Sequence, residues 1–173
     1  VYGIDILPIG ITGLLFASLY TPVIARLPAS SEVAAGGGFA LITLGTYFTQ
    51  SGTYSAASAV VTLITFLLVA NLLLINEIPD VKADRLGGRR HLPISYGTRS
   101  AAIVYSAVAV LVYGVIIVGV ALEAIPLMAL LGLLTVPFAL KAVKGSLSNH
   151  DNIPDMIPSL GANVMMVLIT PVL

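Results

Sequence analysis

The sequence has no cysteine, only two histidines, and only eight basic and eight acidic residues in 173. Without cysteine the redox compartment is unmarked. His91 and His150 stand alone, with no ligand partners at metal spacing, which argues against zinc. Charged residues make up 9% of the chain, where a soluble domain carries about a quarter. The formal net charge is zero, so nothing suggests a nucleic-acid partner. No basic-then-apolar signal peptide opens the chain.

What fills the space is apolar: 58% of the residues are hydrophobic. Uncharged runs of 20 residues (6–25), 23 (100–122), 17 (124–140) and 18 (156–173) stand against the roughly 20 that a spanning helix needs. A run of 44 residues, 33–76, is too long for one helix, and Gly52, Thr53 and Tyr54 divide it. The pattern predicts an all-α, polytopic transmembrane bundle in a single domain, with six spans near 6–26, 33–51, 55–78, 99–121, 124–143 and 154–173. Barrel strands would alternate over about ten residues instead. The chain opens without Met, almost at once inside a span, and stops inside another, so it reads as part of a longer protein.

All eight basic residues fit one side. Arg26 follows span one; Lys82, Arg85, Arg89, Arg90 and Arg99 lie between spans three and four; Lys141 and Lys144 follow span five. The opposite connections contain no base. The positive-inside rule places the 76–98 loop in the cytoplasm and both chain ends outside, as in a multi-pass cell-membrane protein.

Residues 76–99 hold eight of the sixteen charges. Asn76, Asp80 and Asp84 are four apart, so on a helix they share one face. Such carboxylates suit Mg²⁺, which takes oxygen ligands, keeps waters and is held by one or two carboxylates plus substrate phosphates. Arg89 and Arg90, after the Gly87-Gly88 pair, suit phosphate oxygens. Spacing alone fits an ordinary solvated basic loop equally well, and Pro79 would kink a continuous helix.

The segment NEIPDVKADRLGGRRHLPISYG (76–97) resembles the second aspartate-rich motif of the UbiA superfamily of intramembrane prenyltransferases. Asn76, Asp80, Asp84, Arg85, Gly88, Arg90, Leu92 and Gly97 match in place; Arg89 stands for a Lys and His91 for a Thr. LYTPVIARL (19–27) is similar to the family's Tyr-Ser/Thr-x-Pro segment, and GTYFTQSG (45–52) to a stretch of its menaquinone-pathway members. The resemblance implies that the chain corresponds to helices four to nine of a nine-helix bundle. It implies that Asp80 and Asp84 are catalytic and bind Mg²⁺ with help from Asn76. It places Tyr20, Arg26, Lys82, Arg85, Arg89 and Arg90 on the diphosphate of a polyprenyl donor. The implied reaction moves the prenyl group to an aromatic acceptor, with GTYFTQSG pointing to 1,4-dihydroxy-2-naphthoate. Other family acceptors, 4-hydroxybenzoate or an archaeal glycerol-phosphate ether lipid, are alternatives. The family's first motif, Asn-Asp-x-x-Asp-x-x-x-Asp, is absent from these residues. The partner it implies is the N-terminal remainder of the same protein, and these residues alone are expected to be inactive.

Other features have plainer readings. Asp151 and Asp155 in HDNIPDMIP repeat the spacing without a basic cluster, as expected of a helix start. Asn71, Tyr47, Gln50 and Asn163 suit helix–helix hydrogen bonds, and Gly36, Gly37 and Gly38 suit close helix approach. Tyr20, Tyr54 and Tyr96 also fit an aromatic belt at span ends. A membrane transporter is the alternative of a different class. It would put ionisable residues near mid-membrane, where spans three to five have none. The Asp-Gly-x-x-Ala-Arg signature of phospholipid alcohol-phosphotransferases is not found.

Overall fold

A computed structural model describes residues 3–28 and 30–173. The described residues form helices and turns without a strand: α1 (Leu7–Leu19), α2 (Ser30–Ser51), α3 (Ala56–Leu86), α4 (Leu92–Tyr96), α5 (Thr98–Ala121), α6 (Val136–Asn149) and α7 (Ile153–Ile169). A 3-10 stretch, Leu127–Thr135, leads directly into α6. The long helical segments overlap the six apolar runs.

Local chemistry sets the boundaries. Gly52, at φ +71°, turns the chain after α2. Ser55 then caps α3: its hydroxyl accepts from the Ser58 amide, and the Ser58 hydroxyl oxygen accepts in return from the Ser55 amide. At the start of α7, the Asn152 amide donates to the Asp155 carboxylate at 2.7 Å. The Asn-Ile-Pro-Asp of HDNIPDMIP is therefore a helix start, as its sequence suggests.

Large apolar side chains point outward along the helices, including Leu14 on α1, Val110 and Val118 on α5, and Leu140 on α6. This is the exterior of a protein solvated by lipid. Ala56–Leu86, Thr98–Ala121 and Leu127–Asn149 are long and apolar enough to cross a membrane, with shorter apolar helices at Ile4–Leu19 and Ile153–Ile169. The molecule is a polytopic helical bundle.

Lipid tails supply no hydrophobic force between helices, so close packing and interhelical hydrogen bonds hold them together. The broadest pairings are α2 with α3, α6 with α7 and α3 with α5. At the centre, Asn71 of α3 donates to the Tyr105 carbonyl of α5 at 3.1 Å, and the Tyr105 hydroxyl donates to Asn163 of α7 at 2.8 Å. All three residues are buried. Asn71 and Asn163 thus do the packing work expected of them. Tyr105→Phe removes one bond without changing volume, so it should cost about 0.6–1.7 kcal/mol. Unfolding midpoints in detergent check this; a variant as stable as the parent would remove the bond from the account.

The main departure from the sequence reading is at 76–98. Much of this stretch is helical: α3 runs unbroken through Pro79 to Leu86, a turn follows over 87–91, and α4 occupies 92–96. A mid-helix proline costs about 3 kcal/mol or more. Ile75 and Ile78, within the affected turn, are buried, and the good helix formers Lys82, Ala83, Arg85 and Leu86 carry the helix on. At 31 residues, α3 is about 46 Å long, against a hydrocarbon core of about 30 Å. The helix is thus about 16 Å longer than such a core, and its charge is confined to the C-terminal turns from Glu77 onward, which carry the aspartates.

Candidate functional site

Asn76, Asp80 and Asp84 occupy successive turns of α3 and share one face, because the helix continues through Pro79. Asp80 is exposed, while Asn76 and Asp84 are half-buried. Past Leu86 the chain reverses through Gly87 and Gly88. Gly88 has φ +76°, a left-handed conformation that glycine takes without steric cost. The reversal is fixed by the Arg89 amide, which donates to the Asp84 carbonyl at 3.0 Å. The Arg89 guanidinium then lies 3.4 Å from Asp84 Oδ1.

The next amide, that of Arg90, donates to the Ala25 carbonyl at 3.2 Å. This joins the turn to the segment that holds Tyr20 and Arg26, although some 65 residues separate them in sequence. The Ala25 amide itself donates to the Tyr20 carbonyl at 2.8 Å. Tyr20 is half-buried, within electrostatic reach of Glu77, Arg89, Glu32 and Asp84. Arg26, Lys82, Arg85 and Arg90 are exposed, and their side chains form no ion pair among the described residues. The fold therefore brings Tyr20, Asp84 and Arg89 into one neighbourhood and leaves the other bases around its rim. Gln50 is remote, exposed at the far end of α2.

Beneath the aspartates is a buried polar cluster that sequence reasoning missed. Ser31 and Glu32 of α2, Glu77 of α3 and His91 before α4 are each at most 6% exposed. The Ser31 hydroxyl lies 2.9 Å from both Glu32 Oε2 and Glu77 Oε1; with a single proton it donates to one at a time. The Leu92 amide donates to Glu32 Oε1 at 3.1 Å, which ties α4 to α2. His91 is not the isolated histidine its sequence context suggests. Its Nε2 is 2.9 Å from Asp84 Oδ2, and its Nδ1 is 3.8 Å from Glu77 Oε2. A sequence signal for the glutamates did exist. Glu32 and Glu77 lie 22 and 23 residues on either side of Tyr54, in the turn. Two antiparallel helices of equal rise bring such positions to the same depth, and the rotation of α2 and α3 then turns them toward each other through Ser31.

The donors on α3, two carboxylates and an amide oxygen in successive turns, match the oxygen-only chemistry that Mg²⁺ accepts. Among the described residues no three His, Cys, Asp or Glu side chains close into a full cage. What α3 offers fits a partial shell completed by water and phosphate, the common way of holding this ion.

Residues 1–154 match the family model described as the UbiA prenyltransferase family. No curated protein and no solved structure matches the chain.

Proposed function

We propose, from the premise that this chain belongs to the UbiA prenyltransferase family, that it acts in Mg²⁺-dependent transfer of a polyprenyl group from an allylic diphosphate to an aromatic acceptor within the membrane. The observation that supports this reading best is the end of α3. Asp80 and Asp84 share a helical face, and Arg89 and Arg90 follow at once across the glycine turn. Acids for a cation and bases for phosphate are thereby set together where the helix outruns a hydrocarbon core.

In this reading Asp80 and Asp84, helped by the Asn76 amide oxygen, hold Mg²⁺. When bound, the ion neutralises charge that develops on the departing diphosphate. Arg89 leaves Asp84 for the diphosphate, a small movement for a half-exposed guanidinium 3.4 Å away. Arg90, Arg85 and Lys82 add positive charge from the rim, with Arg26 and Tyr20 on the neighbouring segment that the Arg90 amide joins at Ala25. Guanidinium groups suit this task because two parallel N–H bonds fit two phosphate oxygens.

The finer assignments rest on motif likeness. GTYFTQSG supports 1,4-dihydroxy-2-naphthoate as the acceptor, in the menaquinone pathway. The missing first aspartate-rich motif supports an opposite wall supplied by another part of the same protein, with residues 1–173 as its C-terminal part. The one-sided placement of bases supports six crossings, with the end of α3 in the cytoplasm.

The test is an assay of the full-length protein in membranes, using a radiolabelled polyprenyl diphosphate. Transfer to 1,4-dihydroxy-2-naphthoate should stop with EDTA and return with excess Mg²⁺. Transfer that persists in EDTA would remove the metal from the reading. Transfer to 4-hydroxybenzoate instead would correct the acceptor alone.

A further inference from the structure

We propose that His91 is a positioning residue: it fixes the Asp84 carboxylate so that one oxygen faces inward and the other is presented to the cation. The inference rests on the reading of Asp84 as a metal carboxylate. It concerns a side chain that touches neither substrate nor ion.

The geometry begins with a locked backbone. The His91 carbonyl accepts from the amides of Ile94 and Ser95, each at 3.1 Å, and the Ser95 hydroxyl donates to the Arg90 carbonyl at 2.7 Å. The ring is 1% exposed, so it has no room to change rotamer. From this fixed base Nε2–H donates to Asp84 Oδ2 at 2.9 Å. On the ring's other edge Nδ1 looks toward Glu77 Oε2 at 3.8 Å, and neither atom has a hydrogen-bond partner among the described residues. Glu77 is held in turn through Ser31, against Glu32, on α2.

The two oxygens of Asp84 are therefore unequal. Oδ2 is pinned by a buried ring, whereas among the described residues Oδ1 meets only the half-exposed Arg89, at 3.4 Å. The outer oxygen can exchange Arg89 for a cation while the inner one holds the carboxylate plane in place. Without His91 that plane turns freely, and its ordering must be supplied by binding. Partners that orient metal ligands in this way are worth about 10–100-fold in metal affinity.

The experiment uses the full-length protein purified in detergent, with Mn²⁺ as the probe in an EPR titration. His91→Ala and His91→Asn should bind Mn²⁺ about tenfold more weakly. His91→Gln can place its amide where Nε2 now sits, and should stay within about threefold of the parent, well under that loss. The Mg²⁺ concentration for half-maximal transfer should rise in parallel, with the rate recovering at saturating Mg²⁺. If His91→Ala fails to fold, the Asn and Gln variants alone decide. Equal affinity for those two variants, whether retained or lost, overturns the positioning role. A parent protein that binds no Mn²⁺ overturns both this inference and the metal reading beneath it. Binding that depends on His91 in a protein without prenyl transfer would support the positioning role and overturn the proposed function.

Discussion

Replacing Asp80 or Asp84 with Ala in the full-length protein should abolish Mg²⁺-dependent prenyl transfer while leaving expression in membranes intact. A cation at a developing phosphate charge contributes several kcal/mol, and each 1.4 kcal/mol or so is a factor of ten. Either change should therefore lower the rate by at least about 100-fold. The two variants should differ in stability. The Asp80 carboxylate is exposed and makes no hydrogen bond or ion pair among the described residues, so its removal should leave the unfolding midpoint nearly unchanged. Asp84 is the hydrogen-bond partner of the buried His91 Nε2. Its loss orphans that nitrogen at about 1–3 kcal/mol, and Asp84→Asn should recover part of the stability without the activity. Parental turnover by either alanine variant would sink the assignment of both carboxylates. A large loss of stability in Asp80→Ala would show that it has a structural role.

The second large effect is expected at Gly36, which contributes no side chain to the site. A Cβ there would lie 2.6 Å from the Phe66 carbonyl oxygen, 3.0 Å from Ala70 Cβ and 3.1 Å from Phe66 Cδ2. The first of these is backbone, so no rotamer change relieves it, and α2 must move away from α3. Overpacking of this kind costs about 1–3 kcal/mol, with Gly36→Val worse than Gly36→Ala. The movement would also draw Ser31 and Glu32, little more than one turn away, from Glu77 and Leu92. Loss of transfer should therefore accompany the lower unfolding midpoint. Gly38→Ala is the internal control, because nothing lies within 4 Å of its added Cβ. Equal midpoints for Gly36→Ala and Gly38→Ala would mean that α2 and α3 are not packed this closely.

The three glycines also show how far a linear reading reaches. A run of small residues on a membrane helix points to close approach, and that holds for two of them. Gly36 meets α3, and Gly37 meets Phe16 of α1. Nothing in the string Gly-Gly-Gly says which glycine faces which neighbour, since that depends on the rotation of α2 about its own axis. Pro79 errs in the opposite direction. Its local chemistry predicts a break, but one missing hydrogen bond is outweighed by the buried residues and helix formers around it, so α3 continues and the motif is helical. His91 looks solitary in the sequence for a different reason: its partners Asp84 and Glu77 are seven and fourteen positions away, brought to it by the glycine reversal.

By itself the sequence determined the properties that depend on composition and on period along one helix. These are a lipid-solvated helical bundle, the positions of its long helices, the shared face of Asn76, Asp80 and Asp84, and the glycine turn after them. Each follows from the length of an uncharged run, from 3.6 residues per turn, or from a backbone angle that only glycine takes cheaply. The tertiary structure alone decided that Asp84 is pinned by His91 and paired with Arg89, that Glu32 and Glu77 meet on Ser31, and that the Tyr20–Arg26 segment lies against the turn. Those contacts join residues up to about 65 positions apart. They are fixed by the relative rotation and register of packed helices, which no stretch of sequence expresses until the helices are in contact.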